Sequence, residues 1–184
     1  MSLYDPHTAL VLVDVQNDFC PGGALPVADG DAVLAPLNQA ITEALEAGAM
    51  VIASRDWHPV AHCSFQDEGG PWPAHCVQDT PGAAFHPALA LPDGAIRISK
   101  GTAFDRDAYS AFDGTGLGCF LDARGIRRVV IGGLAQDVCV RATAIDASRA
   151  GFETVVLGSG TRAVDPAAAD RVFAELRGAG VQIA

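Results

Sequence analysis

Apolar positions along this chain follow two alternating rhythms. Residues 9 to 15, Ala-Leu-Val-Leu-Val-Asp-Val, form an almost unbroken β-branched run that ends around Asp14, the pattern of a strand buried on both faces. Val33, Leu34, Leu37, Ile41, Ala44 and Leu45 then recur at helical spacing as far as Gly48, which predicts a helix closed by glycine. Further strands are predicted over 50 to 54, 95 to 99, 127 to 132 and 153 to 157, with a short terminal one over 181 to 184. Helices are predicted over 116 to 124, 137 to 150 and 166 to 177. Alternation of this kind predicts an α/β fold in three layers, α/β/α, around a central, mostly parallel six-stranded sheet. No repeat or composition shift divides the chain, so residues 1 to 184 read as one domain. The stretch from about 55 to 92 breaks the rhythm. It is rich in proline, glycine, histidine and aromatics, is too long for an ordinary connection, and is expected to be a functional insertion.

Composition narrows the classes. The formal charge of −10 argues against a nucleic-acid partner, which needs phosphate-neutralising lysines and arginines. No apolar run reaches the eighteen or so residues of a membrane span, and the N-terminus has no basic segment before its apolar part, so neither a membrane nor a secretion signal is expected. Five cysteines at irregular spacing, an odd number without a CxxC pair, fit a reducing cytoplasm better than a disulfide framework.

Candidate chemistry gathers at the predicted strand ends. Asp14, Lys100 and Cys139 each lie at or just past such an end, and in an open parallel sheet those ends converge on one crevice. Cys139 follows a strand and two glycines and falls in the first turn of the next helix, where backbone N–H groups and the helix dipole favour a thiolate. A carboxylate can take the thiol proton and an ammonium can support the charge. Each residue also has an ordinary structural reading: Cys139 as a small core residue, Asp14 as a turn cap and Lys100 as a solvated side chain. Only their joint placement points to catalysis. A second group lies in the aperiodic stretch, where Asp56, His58 and His75 offer a carboxylate and two imidazoles, a donor set suited to Zn²⁺, Fe²⁺ or Mn²⁺. His62 stands nearby as a further ligand or as a support for one.

With these residues in view, the chain resembles the nicotinamidase and pyrazinamidase branch of the isochorismatase-like cysteine hydrolases. The resemblance runs through VDVQNDFCPGGAL at 13 to 25, SRDWHP at 54 to 59, HCSF at 62 to 65, WPAHCVQDTPGAAFHP at 72 to 87, KGT at 100 to 102, YSAF at 109 to 112 and GLAQDVCVRATA at 133 to 144. It implies the isochorismatase-like fold, a triad of Asp14, Lys100 and Cys139, and one divalent metal, Zn²⁺ foremost, held by Asp56, His58 and His75. It also implies a cis peptide before Ala135, with the N–H groups of Ala135 and Cys139 forming an oxyanion hole. Phe19 and Trp72 would flank a substrate ring and Tyr109 would help close the pocket. The implied activity is hydrolysis of nicotinamide, and with it pyrazinamide, through a cysteine thioester, with a small molecule as partner and a homo-oligomer left open. The chain departs from the family at Gln136-Asp137-Val138, where many members carry Thr-Asp-Tyr or Thr-Asp-His, a difference that bears on substrate fit. Three other readings share the architecture: a metal-free amidase for carbamoyl or ureido compounds, an isochorismatase acting on a vinyl ether, and a non-catalytic binding protein. The two enzymes would leave Asp56, His58 and His75 without a purpose, and the intact triad positions speak against the third.

Overall fold

In the computed structural model, which describes residues 3–184, six strands form one sheet in the order β3-β2-β1-β4-β5-β6, and every pairing is parallel. The strands are β1 (Thr8–Val13), β2 (Met50–Asp56), β3 (Ile96–Lys100), β4 (Arg128–Leu134), β5 (Glu153–Arg162) and β6 (Gln182–Ile183). The helices are α1 (Leu34–Glu46), α2 (Leu117–Asp122), α3 (Arg141–Arg149) and α4 (Ala169–Gly178). No helix among the described residues is long and apolar enough to cross a membrane.

The period-two geometry of a strand explains why β1 had to be apolar throughout. Leu10 and Leu12 point into one hydrophobic cluster with Leu37, Ile41 and Ala44 of α1. Ala9, Val11 and Val13 point into another, with Leu121 of α2, Ala144 of α3, and Val172 and Leu176 of α4. The sheet is thereby covered on both faces, as a parallel sheet requires. The segment between β2 and β3 has no regular element beyond isolated 3₁₀ turns, yet it is ordered by burial: Cys76, Ala83 and Leu89 join the α1-side cluster.

Several boundaries differ from the sequence reading. Strand β1 stops at Val13, and Asp14 turns away with a φ of 50°, a conformation that aspartate tolerates better than most residues. Strands β2 and β3 run on to Asp56 and Lys100, so both functional candidates are strand residues rather than loop residues. The expected helix over 137 to 150 opens as a π-helical turn, Gln136–Val140, before α3. Strand β5 extends to Arg162, five residues past the predicted end at Leu157, after an irregularity between Ile131 and Gly133 of its neighbour. Gly158 and Gly160 hid this continuation, since glycine reads as a strand terminator.

Sheet order also locates the crevice. Strands β2 and β3 lie to one side of β1 and β4 to β6 to the other, so the direction of winding reverses between β1 and β4, and ligands gather outside strand ends at such a reversal. The backbones there are unusually close. A Cβ on Gly133, whose φ is 129°, would lie 2.0 Å from the Val13 carbonyl oxygen; only glycine lets β4 approach β1 at the residue before Asp14.

Candidate active site

Register sets the site. Val13 pairs with Ser54 on β2 and Gly133 on β4, and Asp56 pairs with Lys100. Lys100 is almost completely buried, and its Nζ lies 2.9 Å from Asp14 Oδ2, 2.5 Å from Asp56 Oδ1, 3.1 Å from the Ala108 carbonyl oxygen and 3.5 Å from Cys139 Sγ. Asp14 Oδ1 accepts a hydrogen bond from the Ser54 hydroxyl at 2.7 Å. Its Oδ2 is ion-paired with Lys100 and, among the described residues, has no directed hydrogen bond. The three residues expected to meet do meet.

The electrostatics correct one expectation. Burial pushes the Cys139 thiol well above its ordinary range, Lys100 opposes this, and Asp14 and Asp56 add to it. Desolvation therefore opposes the thiolate that the helix terminus favours. Burial also raises the Asp14 carboxyl, with Lys100 opposing and Asp56 reinforcing. Burial disfavours an ionised Asp56 as well, but there Lys100 and His58 win and hold the carboxyl below its usual range.

The second oxygen of Asp56 faces the histidines. His58 Nε2 is 3.7 Å and His75 Nε2 3.9 Å from Asp56 Oδ2. The opposite ring nitrogens are anchored on main-chain carbonyls, His58 Nδ1 on Gly101 at 2.8 Å and His75 Nδ1 on Pro73 at 2.7 Å. That anchoring leaves both Nε2 atoms as lone-pair donors aimed at one point, the arrangement of metal-ligating histidines. With three buried donors within 4.8 Å of one another, the set fits a divalent cation with coordination positions to spare. His62 is engaged elsewhere: its Nδ1 meets Ser64 Oγ at 2.7 Å, its Nε2 meets the Arg106 carbonyl at 3.2 Å, and its ring lies 4.1 Å from that of His58. With His58 and Asp107 it also offers a nitrogen to a second group of possible metal donors within 4.8 Å of one another.

A cleft opens over Cys139, Asp56, His58 and His75; the empty space in it, counted out through its open mouth, is about 430 Å³. Phe19, Trp72, Tyr109 and Ala135 line it as expected, and so does Val138, at the position where the chain departs from its family resemblance. The Leu134–Ala135 peptide is cis. Sequence reasoning missed Leu25, Val27, Asp107 and Val164 in the same wall. They come from stretches without periodicity, and only the resemblance block covering Leu25 offered a signal. Val164 is brought in by Asp137, whose carboxylate accepts the N–H groups of Val164 and Asp165 at 2.9 and 3.0 Å.

A model of the isochorismatase domain matches residues 8–184. This chain belongs to the isochorismatase family. Within it, a nicotinamidase of Acinetobacter baylyi is 40% identical over 199 residues, covering 96% of this chain and 91% of the relative. The crystal structure of the pyrazinamidase of Pyrococcus horikoshii in complex with zinc superposes with a TM-score of 0.94 at 47% identity, over 97% of this chain and 99% of that one. The structure of PnC1 from L. infantum in complex with nicotinate gives a TM-score of 0.90 at 40% identity, over 100% and 96%. The six-stranded parallel sheet is thus the fold of this isochorismatase family member and its relatives.

Gln16 was also missed. It is completely buried: its Nε2 donates to the Asp56 and Ala83 carbonyls at 2.8 and 2.9 Å, and its Oε1 accepts the Asp56 N–H at 2.8 Å. Gln16→Leu would leave three buried main-chain groups unpaired. We expect a loss of about 2–4 kcal/mol, read as a lower denaturation midpoint in urea with an unchanged slope.

Proposed function

We propose that this chain hydrolyses nicotinamide, and by the same chemistry pyrazinamide, to the ring carboxylate and ammonia, with Asp14, Lys100 and Cys139 catalytic. One observation carries the assignment of roles: a single buried ammonium lies within 3.5 Å of the thiol and of both carboxylates. Relatives named nicotinamidase and pyrazinamidase, and a relative solved with nicotinate, support the substrate. The free cysteines support a reducing cytoplasmic setting, and the chain acts as one domain over 1 to 184.

The ring enters between Phe19 and Trp72, with Tyr109 at the mouth, and the carboxamide carbon comes to Cys139. Asp56, His58 and His75 hold the divalent cation, for which zinc fits a two-nitrogen, one-oxygen set and is the ion of the Pyrococcus structure. When bound, that cation supplies a Lewis-acidic anchor that orients the pyridine ring. Asp14 takes the thiol proton as sulfur attacks the carbonyl carbon, and the N–H groups of Ala135 and Cys139 receive the oxyanion. Asp14 returns the proton to the departing ammonia, leaving a thioester. Asp14 then takes a proton from water, the water oxygen attacks the thioester carbon, the C–S bond breaks as Asp14 passes that proton to sulfur, and the acid leaves as its carboxylate with its remaining proton released to solvent. Lys100 stays charged throughout.

Ammonia release from nicotinamide tests this directly: Cys139→Ala should fall below about 10⁻³ of the parent rate, and comparable turnover would end the proposal. Dialysis against a chelator should raise KM and abolish detectable binding of nicotinamide, both restored by zinc; full activity at an unchanged KM would remove the orienting role. The pH profile carries a third expectation. Asp14 must be ionised to act, and its pKa is raised, so kcat/KM should be lost as pH falls through a value above the ordinary carboxylate range. The Ser54 hydroxyl lowers that pKa, so Ser54→Ala should move the acidic limb to higher pH.

A further inference from the structure

One charge in the cavity wall is left unbalanced. Asp107 lines the cavity over Cys139 and also a second one of about 460 Å³ that reaches Lys100 and Arg106. Its Oδ1 accepts the Ala108 N–H at 2.9 Å. The neighbouring Arg106 turns instead to Asp113, and among the described residues no lysine or arginine pairs with Asp107. The bond from Ala108 tethers the carboxylate at the cavity wall, beside Tyr109, whose hydroxyl accepts a hydrogen bond from Trp72 Nε1 at 3.2 Å. A carboxylate oxygen of Asp107 lies within 4.8 Å of ring nitrogens of His58 and His62, so its field acts inside the cavity rather than in bulk solvent.

The charge balance of the site then depends on this residue. Asp14, Asp56 and Asp107 are negative and Lys100 is positive; a divalent cation on Asp56, His58 and His75 brings the total to zero. A neutral carboxamide enters a neutral site, and its hydrolysis leaves a carboxylate, which makes the occupied site negative. Without Asp107 the loaded site would be cationic and would retain that anion.

We infer that Asp107 is a specificity-determining residue that makes the cavity bind neutral ring amides in preference to ring carboxylates, and so expels the acid product. The inference rests on the proposed reaction for its biological meaning, but it can be measured without turnover. Calorimetric Kd values for nicotinate and nicotinamide are taken on zinc-loaded Cys139→Ala protein, alone and with Asp107→Asn or Asp107→Glu, at one pH and at about 0.1 M salt. The ratio of the nicotinate Kd to the nicotinamide Kd should fall about tenfold with Asn and return to within about threefold of the starting value with Glu. An unchanged ratio with Asn, or a Glu variant that behaves like Asn, overturns the inference, the second outcome because shape rather than charge would then be responsible. Ammonia release by the parent is assayed separately. A parent without turnover overturns the reaction while the binding ratio still decides the role of Asp107; an active parent with an unmoved ratio overturns the inference alone.

Discussion

Everything at the mouth of the sheet depends on where the Lys100 ammonium is held. Taking a lysine charge out of water costs several kcal/mol even after relaxation, and Lys100 is only 2% exposed. Two carboxylates and a main-chain carbonyl offset that cost: Asp14 after β1, Asp56 at the end of β2 and the Ala108 carbonyl beyond β3. Each partner comes from a different segment, so the charge is stable only if β1, β2 and β3 keep their mutual register. The strand pairings and the charge cluster therefore enforce each other. The cluster in turn raises Lys100 well above its ordinary range, since burial, which would lower it, is outweighed by Asp14 and Asp56.

Asp56 joins the two halves of the site. One oxygen binds Lys100 and the other faces His58 and His75, so a single carboxylate fixes the distance between the thiol side and the metal-ligand side. Gln16 grips the main chain of Asp56 on both its N–H and its carbonyl, which leaves that residue little freedom to move. A ring amide must reach both halves at once, and a rigid spacing of this kind is what preorganised positioning requires.

The sequence carried the sheet because buried parallel strands leave a strong signal: β1 is a continuous apolar run, and β2 and β4 each hold a shorter one. It brought Asp14, Lys100 and Cys139 together because strand ends converge in this topology, even for residues more than a hundred positions apart. What it could not carry has local causes. Gly158 and Gly160 disguised the far half of β5, and the aperiodic segment after β2 gave types of residue without directions. His62 shows the second limit. Spacing left it as ligand or support, and in the structure its nitrogens meet Ser64 and Arg106 while it also lies within donor reach of His58 and Asp107. Asp107 shows a third, because its importance lies in lacking a counter-charge, and a missing partner leaves no trace in a sequence.

The upward shift of the Cys139 thiol follows from the same burial. A cysteine beginning a helix in partly exposed surroundings tends toward the thiolate, and the motif alone pointed there. Here the side chain is 5% exposed with two carboxylates nearby, and desolvation exceeds what Lys100 returns. A thiol that keeps its proton is a poor nucleophile toward stray electrophiles. In the proposed reaction it becomes a good one when a bound carbonyl accepts electrons as Asp14 accepts the proton, so that charge moves from sulfur to oxygen without a free thiolate forming. The raised Asp14 carboxyl suits that transfer, because a carboxylate that is costly to ionise is a stronger base. Burial thus supplies selectivity and basicity together, and Lys100 opposes its effect at both carboxylates.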